Sequence, residues 1–128
     1  MKHGALTEKI IGCAYRVHNR MGCGYLESVY EKCMLIELTK VGLHAESQKA
    51  IAVYYEGENV GDFIADLIVE NKVVVELKAV RSVARAHEVQ LVNYLTATKK
   101  DIGLVINFGA SKVEIKRKVR CLSLAEQD

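Results

Sequence analysis

Three charged residues stand inside runs that otherwise read as apolar strands. Asp66 interrupts Phe63–Val69, and Glu76 and Lys78 interrupt Val73–Val80. An unpaired carboxylate in a low-dielectric interior is costly, so such a residue persists with a cation, a metal or a task. Side chains alternate across a strand, which puts Glu76 and Lys78 on one face and Val75 and Leu77 on the other. A turn at Glu70-Asn71-Lys72 makes the two runs antiparallel neighbours, and matching residues about it brings Asp66 near Glu76. Two carboxylates and the backbone carbonyl of Leu77 form a hard-oxygen set suited to Mg²⁺ or Mn²⁺ with several waters retained. Such an ion lowers the pKa of a bound water and stabilises charge on a phosphodiester, and a lysine two residues from a ligand can orient or deprotonate that water. The competing explanation is a buried salt bridge between Lys78 and one of the acids.

Other polar residues fall at spacings that share a helix face. Glu27 and Tyr30 stand three apart after the Gly22-Cys23-Gly24 connector, and Gln90 and Tyr94 stand four apart. Taken singly, Glu27 reads as a first-turn carboxylate favoured by the helix dipole, Tyr30 and Tyr94 as core, and Gln90 as solvated. Arg81, Arg85 and His87 follow the Glu76-Leu77-Lys78 strand and are expected at the mouth of a site there. A second basic group, Lys112, Lys116, Arg117, Lys118 and Arg120, decorates the last strand. Both groups could hold a phosphate backbone without reading its sequence, although charge on an edge strand also guards against edge pairing.

The elements that must position these residues follow from periodicity. Apolar residues from Thr7 to about Arg20 recur at three- and four-residue steps, with Thr7 as the expected N-cap, and a second helix is expected from about Leu26 to Val41, its apolar face formed by Leu26, Val29, Tyr30, Cys33, Met34 and Leu38. β-rich runs follow at Ala50–Tyr55, Val60–Val69 and Val73–Val80, read as an antiparallel meander. Helical spacing returns from Arg85 to about Thr98. Asp101–Phe108 is a nearly continuous apolar strand, as a sheet covered on both faces requires, and Lys112–Val119 alternates as a last strand. The order α-α-β-β-β-α-β-β describes an α/β sandwich around a mixed sheet.

Composition sets the outer limits. The chain has 128 residues, 18 Lys+Arg against 16 Asp+Glu and half its residues hydrophobic, which fits one globular domain over residues 1–128. No run approaches the ~20 apolar residues of a membrane helix, and no secretory leader pattern opens the chain, so a cytoplasmic location is expected. Cys13, Cys23, Cys33 and Cys121 form no CxxC pair and read as free thiols; no Cys/His spacing favours zinc or a thiol hydrolase. The segments 1–5 and 125–128 are expected to be mobile.

The motifs together resemble a known family. Gly24-Tyr25-Leu26-Glu27-Ser28-Val29-Tyr30 resembles the motif for which the GxxExxY family is named, a family assigned to the PD-(D/E)XK nuclease-like superfamily. Asp66 followed by Glu76-Leu77-Lys78 resembles the superfamily's split D…ExK signature, and Gln90-Leu91-Val92-Asn93-Tyr94 resembles the QxxxY motif of its RecB-like branch. The pieces occur in the family's order over residues 7 to 120, with Ala65 where the superfamily's name would place a proline. The resemblance implies a restriction-endonuclease-like core. It implies that Glu27, Asp66 and Glu76 bind metal, that Leu77 offers its carbonyl, and that Lys78 is the catalytic lysine. Gln90 and Tyr94 are implied to support the site or contact the nucleic-acid backbone; Tyr30, and Arg81 and Arg85 by their charge and position, are expected to add to that support. The expected function is that of a nuclease dependent on Mg²⁺ or Mn²⁺, acting on DNA before RNA; a homodimer would suit double-strand cutting. The alternative is a catalytically silent nucleic-acid or protein interaction module on the same fold, which would more often have lost Lys78 or one acid.

Overall fold

The computed structural model describes residues 1–120, so Cys121 and the 125–128 tail lie outside the described residues. Its elements are α1 (Gly4–Met21), α2 (Glu27–Lys40), β1 (Ala45–Tyr55), β2 (Glu58–Val69), β3 (Val73–Lys78), α3 (Arg85–Thr98), β4 (Ile102–Asn107) and β5 (Glu114–Val119). They form one five-stranded sheet in the order β1-β2-β3-β4-β5. All neighbours are antiparallel except β3 and β4, which run parallel because α3 carries the chain back across the sheet. The expected element order and mixed sheet are therefore observed.

Each face of the sheet is covered by its own helices. Ile10, Cys13, Ala14 and Val17 of α1 and Tyr30, Met34 and Leu38 of α2 pack on Leu67, Val69, Val75, Leu77, Leu104 and Ile106. Leu91 and Leu95 of α3 pack on Phe63, Ala65, Val74 and Val105 from the other side. β4 is buried at every position, the double coverage that its unbroken apolar run required. Gly103 lets α3 approach: a Cβ there would lie 2.9 Å from Leu91 Cδ1.

Four expectations are corrected. Thr7 is not the N-cap; α1 begins at Gly4, and the Thr7 hydroxyl donates to the Gly4 carbonyl at 3.1 Å, so the side chain is satisfied inside the first turn. Leu26 does not line the buried face of α2 but precedes the helix in extended conformation and is exposed. β1 begins at Ala45 rather than Ala50, because Ala45–Ser47 pair with Leu67–Val69 although this stretch carries no apolar alternation. β3 ends at Lys78, and Val80 is held by a side chain instead of a ladder.

The chain at 79–80 packs tightly on Gly109, where an added Cβ would meet the Val80 nitrogen and oxygen and lie 2.6 Å from the Ala79 carbonyl carbon. Backbone cannot give way as a flexible side chain can. Gly109→Ala is expected to destabilise the fold by about 2 kcal/mol, in the range of overpacking strain. Urea denaturation checks this, and an unchanged midpoint would contradict the packing described.

Candidate active site

The site begins where a ladder stops. The last paired residues of β2 and β3 are Leu67 and Val75. One step further the register opposes Asp66 to Glu76, and there the carboxyl groups take over from the ladder. The Leu77 N–H donates to Asp66 Oδ2 at 2.8 Å, and the Asp66 N–H donates to Glu76 Oε1 at 3.4 Å. Because the N–H and C=O of one strand residue point to the same edge, the Leu77 carbonyl also faces this gap. β2 changes face at the same point: Ala65 packs with α3 but Leu67 packs with α1 and α2. Opposite, the β1–β2 pairing skips Gln48, whose φ of 51° is left-handed.

Side chains from α2 and β1 close one side of the gap. Gln48 Nε2 donates to Glu31 Oε1 at 2.9 Å and to Asp66 Oδ1 at 3.4 Å. Glu27, in the first turn of α2, accepts the Ala79 N–H at Oε2, 3.3 Å away, and so ties the helix to the exit of β3. The resulting open cleft of about 200 Å³ is lined by Glu27, Ser28, Glu31, Gln48, Asp66 and Leu77.

Electrostatics single out Glu76. Burial first, and then the negative charge of Asp66, push its carboxyl up to about 8, against smaller pulls from the Asp66 N–H and from Lys78. Lys78 projects from the face that carries Val74 and Glu76, yet among the described residues it forms no ion pair within 4.0 Å. The buried salt bridge that sequence left open is therefore not formed. Two acids share a confined place, and their joint ionisation calls for a cation.

The donor set fits a hard divalent ion. Asp66, Glu76 and the Leu77 carbonyl are all oxygen donors, as Mg²⁺ or Mn²⁺ prefers; Asp66 and Leu77 line the cleft, which leaves room for retained waters, while Glu76 does not line it and meets Asp66 from beside it. Among the described residues no three His, Cys, Asp or Glu side chains converge on one point, so the acids form a pair, with Glu27 beside it at Ala79.

The remaining residues singled out from sequence do not line this cleft. Tyr30 is wholly buried; its hydroxyl donates to the Gly22 carbonyl at 2.6 Å and its ring stacks on Phe108 at 4.5 Å. It thereby fixes the turn that delivers Glu27. Tyr94 stacks on Phe63, ring centres 3.5 Å apart, and secures α3 to β2, whereas Gln90 is exposed on α3. Arg81 and Arg85 are exposed, and Arg85 borders a groove of about 340 Å³ with Glu88, Val89, Val92, Asn93 and Lys118. His87 Nδ1 accepts the Ala84 N–H at 3.2 Å at the start of α3. In the β5 group, Lys118 pairs with Glu88 at 2.6 Å, Arg120 pairs with Asp101 at 2.7 Å, and Arg117 donates to the Lys2 carbonyl. Three of those five cations thus serve the fold.

Sequence reasoning missed Glu31 and Gln48. Glu31 had a signal, since it stands one helical turn after Glu27 on the same face. Gln48 had none, because its place depends on how β1 meets α2.

A mixed five-stranded sheet in this element order, with an acid pair where two strands part, defines a restriction-endonuclease-like α/β fold. A solved structure described as "Crystal structure of SSO0001" shares it, with a TM-score of 0.58 at 19% identity over 77% of this chain. The present chain spans about half, 52%, of that one. The model of the PD-(D/E)XK nuclease superfamily matches residues 4–118, and the chain belongs to this superfamily, whose nucleases generally use divalent metals. No curated protein matches the chain. Among the described residues no helix is long and apolar enough to cross a membrane.

Proposed function

We propose that the protein is a divalent-metal-dependent nuclease of the GxxExxY type that hydrolyses phosphodiester bonds, with DNA as its substrate. The observation that carries this reading is the opposition of Asp66 to Glu76 where β2 and β3 part, with Lys78 on the face of Glu76. Asp66, Glu76 and the Leu77 carbonyl would hold Mg²⁺ or Mn²⁺, and Glu27 would join them from α2. When bound, the ion supplies positive charge at the phosphoryl oxygens and favours loss of a proton from the attacking water. Lys78 orients that water or takes its proton. Arg81 and Arg85, exposed on the segment beyond β3, bind phosphates on either side of the cut. Gln90 lines the approach from α3, while Tyr30 and Tyr94 act by holding their helices in place. The chain works in the cytoplasm, and as a homodimer it would cut both strands.

One observation favours a second reading, a catalytically silent module that binds nucleic acid or protein: among the described residues no three acids converge on one point. Metal binding is the first discriminator. A ligand that binds only the folded state stabilises it by about 2.7 kcal/mol at a hundredfold excess over Kd. Mn²⁺ is expected to raise the melting temperature of the wild type by several degrees, and Asp66→Ala to remove the rise. An equal rise in both proteins would exclude Asp66 as a ligand.

A further inference from the structure

Side chains, not a strand ladder, hold the segment that leaves β3. The Lys78 carbonyl accepts from the Phe108 N–H at 2.9 Å. Beyond it, Asn107 holds Val80 from both directions: the Val80 N–H donates to Asn107 Oδ1 at 2.9 Å, and Asn107 Nδ2 donates to the Val80 carbonyl at 2.9 Å. The same Oδ1 accepts the Gly109 N–H at 3.0 Å, and Nδ2 also reaches Glu114 Oε1 at 3.1 Å. Glu114 in turn accepts the Val83 N–H at 2.9 Å. Asn107 is wholly buried, so no water can replace these bonds. Register sets Lys78, Asn107 and Glu114 side by side across β3, β4 and β5.

The β3–β4 ladder pairs Leu77 with Ile106 and Lys78 with Asn107, and two further anchors of this stretch are acids assigned to the metal. Asp66 accepts the Leu77 N–H and Glu27 accepts the Ala79 N–H. A carboxylate oxygen drawn toward a cation weakens its bond to an amide, so the Leu77 and Ala79 N–H groups would be held less firmly when the site is loaded, while the β3–β4 ladder stays. The anchors through Asn107 use neither acid.

We propose that Asn107, backed by Glu114, is a positioning residue that keeps Lys78 in place while Asp66 and Glu27 turn to the cation. This rests on the metal-dependent reading above. The test follows Lys78 directly. Lysines are reductively methylated with carbon-13 formaldehyde and a borane reductant, and the Lys78 signal is assigned by its loss in Lys78→Arg. In the wild type that signal is expected to shift slightly with the added charge when Mg²⁺ is added, but to stay apart from the position shared by exposed lysines. In Asn107→Ala it is expected to move on adding Mg²⁺ toward the position shared by exposed lysines. In Mn²⁺, kcat of Asn107→Ala on DNA is expected to fall at least roughly tenfold, with KM within about twofold, as a displaced catalytic group requires.

A Lys78 signal that behaves alike in both proteins overturns the proposal, whatever happens to kcat. If the wild type cuts nothing while the signal still moves in Asn107→Ala, the positioning role stands and the nuclease reading falls. Should Asn107→Ala fail to fold, Glu114→Gln keeps the oxygen that accepts the Val83 N–H. A smaller movement of the Lys78 signal is then expected, and none would overturn the proposal.

Discussion

Lys78→Ala is expected to reduce DNA cleavage by about 10²- to 10⁴-fold, the usual contribution of a positioned proton-transfer group. Metal binding should survive, because Lys78 donates no oxygen to the ion and makes no ion pair among the described residues. The Mn²⁺-induced rise in melting temperature should therefore match the wild type within about a degree. If anything it should grow, since the variant removes a positive charge that acts on Glu76. Single-turnover cleavage at saturating Mn²⁺ separates this loss from any change in substrate binding. Cleavage at the wild-type rate would remove Lys78 from the mechanism.

The second large effect is a dependence of stability on pH that Glu76 alone should generate. Its carboxyl is raised from an ordinary 4.5 to about 8 by burial and by Asp66. Between those values the folded protein binds more protons than the unfolded chain, so stability falls as pH rises through that window. The advantage of the protonated carboxyl is complete below the unfolded value and is gone above the folded one. Integrated over the whole window, the loss is on the order of 5 kcal/mol. Urea denaturation in EDTA at pH 5, 6.5 and 8 should show it in the wild type, and Glu76→Gln should flatten the slope. Protection by Mn²⁺ should run the opposite way and grow with pH, because the ionised carboxylate is the ligand. A slope unchanged in Glu76→Gln would place the titrating group elsewhere.

How far this was legible in the chain depended on whether local pattern or tertiary approach decided each feature. The opposition of Asp66 and Glu76 is a matter of register about Glu70-Asn71-Lys72, and a short antiparallel turn leaves little freedom in it. The parallel pairing of β3 with β4 follows equally from one intervening helix. The start of β1 was hidden, because Ala45-Glu46-Ser47-Gln48-Lys49 has no strand pattern of its own and pairs through the apolar residues of β2. That same hidden stretch carries Gln48, whose contact with Asp66 depends on the kink it makes there. Asn107 is different. A polar residue in an apolar strand drew attention at Asp66, and the same reasoning applied at Asn107 would have exposed the clamp on Val80. Tyr30 and Tyr94 lie in packed contacts with Phe108 and Phe63, so their spacing on the helices served the core as well as any motif.

The basic residues carry a related lesson. Counted along the sequence, β5 offers a run of cations fit for a phosphate backbone. In the folded chain Arg120 and Lys2 share Asp101, which holds that carboxyl down at about 2, and Lys118 is taken by Glu88. Arg81 and Arg85 are exposed beyond Lys78, and the proposed function assigns them to the phosphates.

The most direct test is cleavage itself. Labelled single- and double-stranded DNA and RNA are incubated with the wild type in Mg²⁺, Mn²⁺ or EDTA, beside Asp66→Ala purified identically. The expected result is cutting of DNA by the wild type in Mg²⁺ or Mn²⁺, none in EDTA, and none by the variant. Cutting that survives EDTA or Asp66→Ala, or a folded, metal-binding wild type that cuts nothing, would contradict the assignment of Asp66, Glu76 and Lys78 as a nuclease centre.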